Sequence, residues 1–253
     1  MIPADILTPE LLARLRGRAA GYDRDNTFFT EDLDDLRAAG YLALFTPEAA
    51  GGAGFSIPQV VQAQRLLATA APATALAVNM HQVWCGVAHL LSLRGDDSLA
   101  FVLEDAANGE LYAFGISEPG NSAVLFDSFT AARPKGGGAY AFTGTKIFTS
   151  LSPAWTRLGI FGRDDSDPEE PRLVFGFAPR GTEGITVRDD WNTMGMRASQ
   201  SCTTILDNAV LTADQLVRTT PVGPHGDAFV FGIFSLFETL LSAVYTAESS
   251  VSK

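Results

Sequence analysis

The segment from Ala113 to Ser150 carries residue types that can hold a planar ligand against a sheet. Two short strand-like runs, AFGIS and AYAFTGTKIFTS, each end in a hydroxyl residue, and a polar connection containing glycines separates them. The end of a strand leaves backbone N–H and C=O groups for a ligand, and a serine hydroxyl both donates and accepts. A flat molecule with donors and acceptors on its edge suits this segment, although Ser117–Gly120 could simply end a strand at a turn.

Composition and charge argue against several classes of function. The chain has 253 residues and a formal net charge of −11, whereas nucleic-acid binding needs clustered Lys and Arg. Cys85 and Cys202 lack CxxC spacing and predict two reduced structural thiols in a cytoplasmic protein. The acids of the loop Asp164–Pro171 flank a turn without convergent ligands, so we predict no metal site there.

The order of the predicted elements indicates an α+β fold. The first hundred residues have helical patterns, with Thr8 and Thr30 as predicted caps of two helices and Ser56–Pro58 at the start of another. From Gly109, short alternating runs divided by turn residues indicate a mostly antiparallel sheet or barrel. We therefore predict an N-terminal helical domain over 1–108, a β-barrel domain over 109–220 and a further helix within 221–253.

The apolar segment Phe229–Ala247 raises the question of a membrane span. It is nineteen residues long and Glu238 is its only charge, which places it at the lower limit for a spanning helix. The interior Glu and the neighbouring Gly, Ser and Thr residues favour a buried helix of a soluble domain instead. Because the segment is apolar on nearly every face, we expect it to need burial all round.

Four patches in order resemble the acyl-CoA dehydrogenase family of flavoproteins: FGISEPGNS, GTKIFTS, WNTMGMRASQS and FSLFETLLSAVYTA. Each patch is weak alone, but their order and spacing, together with the N-terminal helices and the GGAG loop, are specific and cover nearly the whole chain. The resemblance implies a middle β-barrel domain that binds FAD. It also implies a homo-oligomer and a C-terminal helical domain, of which 221–253 is only the first helix.

The resemblance assigns cofactor-binding roles to the first two patches. Phe114, Ile116 and Ser117 match the strand that meets the pyrimidine side of the flavin. Phe148 matches an aromatic residue that lies against the isoalloxazine ring, although it could also be a core aromatic. Ser150 matches a hydroxyl at the flavin N5 edge, where a donor stabilises arriving charge and tunes reduction.

Substrate-binding and catalytic roles follow from the same resemblance. Arg197 matches a position that contacts acyl-CoA or flavin in some relatives, with an intramolecular salt bridge as the alternative. Ser122 is a candidate stand-in for a substrate-contacting Ser, because EPGNS is shorter than the family's EPGxGSD and lacks its Asp. Glu238 matches a base that removes the substrate's alpha proton, and burial beside Phe237 would raise its pKa. The alternative for Glu238 is a solvent-facing position or a pairing with an Arg of an absent helix.

The resemblance implies α,β-dehydrogenation of an acyl-CoA thioester, with hydride transfer to FAD and an electron-transfer partner or O2 as the acceptor. Two alternatives stay open. One is a monooxygenase or oxidase of the same superfamily, since His81 lies in MHQVWCGVAHLL as a His does in several flavin monooxygenases, although a lone helical His is more often a core residue. The other is a non-catalytic flavin-binding protein.

Overall fold

Seven α-helices occur in the described part of the chain. A computed structural model describes residues 1–251, with side chains through residue 247. The helices are α1 Pro3–Ile6, α2 Pro9–Asp25, α3 Thr30–Ala38, α4 Ile57–Ala68, α5 Pro72–Ser92, α6 Ala100–Ala107 and α7 Ala228–Val251.

The caps of the N-terminal helices follow the sequence in two of three cases. The Thr8 hydroxyl accepts the Leu11 N–H at 3.3 Å, and Ser56 begins α4 with Gln59 folded back onto its backbone N–H at 3.0 Å. The prediction that Thr30 caps α3 is wrong, because Thr30 is the first helical residue and Phe29 is the N-cap. Phe29 is fully buried, so packing of its ring, rather than a hydroxyl cap, fixes where this helix begins.

Eight strands form one sheet, and the α+β class predicted from the sequence is confirmed. The strands are β1 Tyr112–Gly115, β2 Ala131–Pro134, β3 Tyr140–Thr149, β4 Arg157–Asp164, β5 Arg172–Pro179, β6 Ile185–Val187, β7 Cys202–Leu211 and β8 Leu216–Pro221.

The pairing of the strands is mostly antiparallel, with the order β6-β7-β3-β2-β4-β5-β8. The first strand, β1, pairs in parallel with β4, and a single parallel bridge joins β2 to β4. The hairpin of β2 and β3 turns at Gly136–Gly138, as the glycine run predicts. The sequence does not predict strand β8, because LVRTTP lacks a clear alternation of apolar and polar residues and ends in Pro.

The described chain divides into two compact units. The helical unit comprises Met1–Leu111, Asn192–Gln200 and the chain from Gly232 onward. The sheet unit comprises Tyr112–Trp191 and Ser201–Phe231. The three-domain division drawn from the sequence stays a prediction.

One face of α7 is buried and the other is not. Leu236 packs against α5 at Gly86, where an added Cβ would lie 2.6 Å from Leu236 Cδ1. Phe231 and Tyr245 are exposed. The helix is long and apolar enough by composition to cross a membrane, and 44% of its most apolar window is buried. The expected burial all round is therefore not found in the described residues.

Candidate functional site

The strand ends predicted to hold a ligand meet in the sheet unit. Phe114 and Ile116 are buried, and Ser117 is half-buried just after the end of β1. The Ile147 N–H donates to the Ser117 carbonyl at 2.9 Å. This bond places Ser117 beside the part of β3 that carries Phe148.

Phe148 is the most unusual residue of these strand ends. The residue is 59% exposed and its φ is +58°, in a stretch where the pairing of β3 with β7 is irregular. The left-handed conformation costs a residue with a Cβ about 1–2 kcal/mol. Its ring meets Trp191 edge-on, with 6.3 Å between centroids and an interplanar angle of 87°. Residues held in a strained backbone conformation collect at binding sites, and Phe148 combines such a conformation with an exposed aromatic side chain.

Ser150 faces a second hydroxyl, that of Ser201. Both side chains are buried, and their Oγ atoms lie 2.8 Å apart. The Ser150 N–H donates to the Phe148 carbonyl at 2.9 Å. The hydroxyl pair is therefore tied through the backbone to the residue that presents the exposed ring.

A buried ion pair links the same two strand ends. Lys146 Nζ lies 2.7 Å from Glu118 Oε1, with side chains 0% and 1% exposed, and also donates to the Phe161 carbonyl at 2.8 Å. Five further donors reach the Glu118 carboxylate: Asn121 Nδ2, Ser128 Oγ, Phe129 N, Thr130 N and Thr130 Oγ1. Buried charges persist when they are paired and hydrogen-bonded in this way.

The environment of the pair shifts both pKa values. Burial by itself would raise the pKa of Glu118, but the Lys146 ammonium and the surrounding donors outweigh it and lower that pKa to about 2. Burial lowers the pKa of Lys146 to about 8, against the opposing effect of the Glu118 carboxylate. Both groups are therefore charged at neutral pH.

Sequence reasoning missed three members of this arrangement: Glu118, Trp191 and Ser201. Each lies within or beside a quoted patch, but its partner is distant in the sequence, and Glu118 and Lys146 are 28 residues apart. A signal was available for Glu118 alone, because an acid beside one strand end and a base beside the other can pair.

Two predicted site residues, Arg197 and Glu238, lie in the helical unit. Arg197 donates to the carbonyls of Asp23 and Thr193 and to Asn192 Oδ1, at 2.7–2.9 Å. All three partners are neutral oxygens. These contacts therefore do not form the intramolecular salt bridge that was the predicted alternative. Glu238 is exposed on the outer face of α7, which matches the predicted alternative of a solvent-facing position rather than burial beside Phe237. Packing of α7 through Leu236 and Leu240 turns Glu238 outward.

His81 and Ser122 have contrasting surroundings. His81 is fully buried in the helical unit, where its Nε2 lies 2.8 Å from the Leu42 carbonyl, and burial lowers its pKa to about 4. It is thus a neutral core histidine. Ser122 is exposed in the turn after Glu118, and its substrate-binding role stays a prediction.

Comparison with known proteins supports the resemblance drawn from the sequence. The model of the family "Acyl-CoA dehydrogenase, N-terminal domain" matches residues 11–110. The resemblance of the chain to the acyl-CoA dehydrogenase superfamily of flavoproteins is therefore confirmed.

Two curated relatives are similar over most of the chain. Dibenzothiophene monooxygenase from Rhodococcus qingshengii is 28% identical over 209 residues, which are 82% of this chain and 49% of the relative. L-evernosamine nitrososynthase from Micromonospora sp. is 28% identical over 242 residues, 92% of this chain and 56% of the relative. The chain thus spans about half the length of the curated relatives it matches.

One solved structure extends the comparison to a bound cofactor. TdsC from Paenibacillus sp. A11-2, solved in a complex with FMN and indole, is 25% identical with a TM-score of 0.80. The match covers 97% of this chain and 61% of that one.

Removing the buried Glu118 carboxylate should change how the free energy of unfolding depends on pH. The pKa of Glu118 is lowered from 4.5 to about 2, so its stabilisation is complete above pH 4.5 and is lost as the pH falls toward 2. The difference in unfolding free energy between the wild type and Glu118→Gln should shrink by about 3 kcal/mol over that range. Urea unfolding at a series of pH values measures it.

The matched control is Glu170→Gln, since Glu170 makes an exposed ion pair with Arg172 and such pairs contribute little. If the difference in unfolding free energy between the wild type and Glu118→Gln stays constant from pH 5 to pH 2, the assignment of a lowered pKa to Glu118 is contradicted.

Proposed function

We propose that the protein is a monooxygenase that uses reduced FMN and O2, rather than an acyl-CoA dehydrogenase. The two curated relatives are a monooxygenase and a nitrososynthase, and the TdsC structure contains FMN. These names support FMN in place of the FAD that the sequence resemblance implies. They also support a small organic substrate oxidised at sulfur or nitrogen.

The observation that carries flavin binding is the exposed ring of Phe148. An apolar ring held outside the core in a left-handed conformation fits a flat aromatic partner better than it fits solvent. Ser117 and Ser150, joined to the same turn through their backbones, fit the polar edge of an isoalloxazine. The bound flavin, once reduced, supplies the electrons for activating O2.

The residues expected for dehydrogenation receive less support. A base that removes an alpha proton works best with a pKa raised by burial, and Glu238 is exposed. Thr239 stands where the family pattern has Arg, and the EPGNS turn lacks the family's Asp. Dehydrogenation of acyl-CoA therefore remains the second candidate.

Truncation of the exposed ring should weaken flavin binding without loss of stability. For Phe148→Ala, loss of one aromatic contact should raise the Kd for FMN about tenfold. Phe129→Ala is the matched control, because Phe129 is also exposed in the sheet unit. The Kd of Phe129→Ala for FMN should equal that of the wild type when both are measured by quenching of flavin fluorescence. Equal Kd values for both variants would remove Phe148 from the site.

The two candidate activities differ in what reacts with the flavin. Anaerobic mixing of the flavin-loaded protein with short- to long-chain acyl-CoA should leave the flavin absorbance unchanged. With a flavin reductase, NADH and 18O2, the protein should transfer labelled oxygen to a sulfur or amine probe such as dibenzothiophene, as mass spectrometry detects. Glu238→Gln should retain this activity. Bleaching by acyl-CoA that Glu238→Gln abolishes would instead establish dehydrogenation.

A further inference from the structure

The hydroxyls of Ser150 and Ser201 form a buried pair at the end of two adjacent strands. Thr149 at the end of β3 lies opposite Cys202 at the start of β7. Ser150 follows Thr149 and Ser201 precedes Cys202, so the strand register brings the two serine side chains together. Each residue is 4% exposed, and the two Oγ atoms are 2.8 Å apart.

Either hydroxyl of this pair can be the donor. A serine hydroxyl has one proton and two acceptor positions. When Ser201 donates to Ser150, the Ser150 proton is available to an acceptor on a ligand. When Ser150 donates to Ser201, Ser150 can instead accept from a donor on the ligand. The pair thus has two arrangements that present opposite hydrogen-bonding character at the same atom.

This reversal suits a ligand whose own hydrogen-bonding character changes. Position N5 of a flavin is an acceptor when the ring is oxidised and carries a proton when it is reduced. A buried donor without an acceptor costs about 1–3 kcal/mol. A Ser150 hydroxyl that accepts from reduced flavin therefore needs a second acceptor for its own proton.

We propose that Ser201 is a positioning residue that receives the Ser150 proton, so that one hydroxyl serves both redox states of the bound flavin. This inference rests on the proposed function, because it requires that Ser150 contacts the flavin. In Ser201→Ala, Ser150 can still donate to oxidised FMN. The same variant leaves the Ser150 proton without this acceptor when the flavin is reduced.

The test compares the affinities of Ser201→Ala for oxidised and reduced FMN, the latter measured anaerobically. The Kd for reduced FMN should rise about tenfold, with less than a threefold change for oxidised FMN. The midpoint potential of bound FMN should then fall by about 30 mV, because a tenfold change in a two-electron equilibrium corresponds to that shift. Ser201→Thr, which keeps the hydroxyl, should restore wild-type values.

Two controls separate a positioning role from general damage. Ser152→Ala removes another buried hydroxyl, one that bonds the Thr149 carbonyl at 2.7 Å, and should not change the ratio of the two affinities. With 5-deaza-FMN, which has carbon at position 5, Ser201→Ala should leave the ratio unchanged as well.

Each outcome decides the inference. The inference is supported if Ser201→Ala loses affinity for reduced FMN but not for oxidised FMN, and if 5-deaza-FMN shows no such difference. Equal losses of affinity for oxidised and reduced FMN would overturn the inference while leaving the proposed function intact. The same ratio of the two Kd values in Ser201→Ala and Ser152→Ala would have the same consequence. Failure of the wild-type protein to bind FMN in either state would overturn the proposed function and this inference together.

Discussion

The sheet unit depends on the buried ion pair of Glu118 and Lys146. Glu118 follows the end of β1, and Lys146 lies in β3, so one contact fixes the relative position of two segments far apart in the sequence. The carboxylate also gathers donors from residues 121–130. Loss of either charge would leave the other buried and unpaired, which is strongly destabilising. The pair therefore specifies a single arrangement of these strand ends.

That arrangement makes the conformation of Phe148 possible. Ile147 bonds Ser117, and Ser150 bonds Phe148 and Ser201, so the residues on both sides of Phe148 are held by bonds that leave it little freedom. A strained φ persists only where its surroundings over-determine it. The ion pair is thus connected through these backbone bonds to an exposed aromatic residue, which we propose contacts the flavin.

Local features were predictable from the sequence, whereas the tertiary pairings were not. The hydroxyl cap at Thr8 and the glycine turn of the β2–β3 hairpin depend on neighbouring residues, which the sequence displays directly. The cap expected at Thr30 failed because burial of a neighbouring aromatic overrode it. The sequence left Glu238 either buried or facing solvent, since α7 is apolar on nearly every face, and packing against α5 selected a face that excludes it. The contact of Ser201 with Ser150 depends on strand register, which no local pattern specified.

The buried ion pair of Glu118 and Lys146 is the contact that holds in place the strand ends proposed to bind flavin. The most direct test is the FMN affinity of the double variant Glu118→Gln/Lys146→Met, which removes both charges and leaves no unpaired ion. Circular dichroism establishes that the variant is folded. We expect a folded protein whose Kd for FMN rises at least about tenfold, because Phe148 is no longer held in place. A folded double variant that binds FMN as tightly as the wild type would contradict the claim.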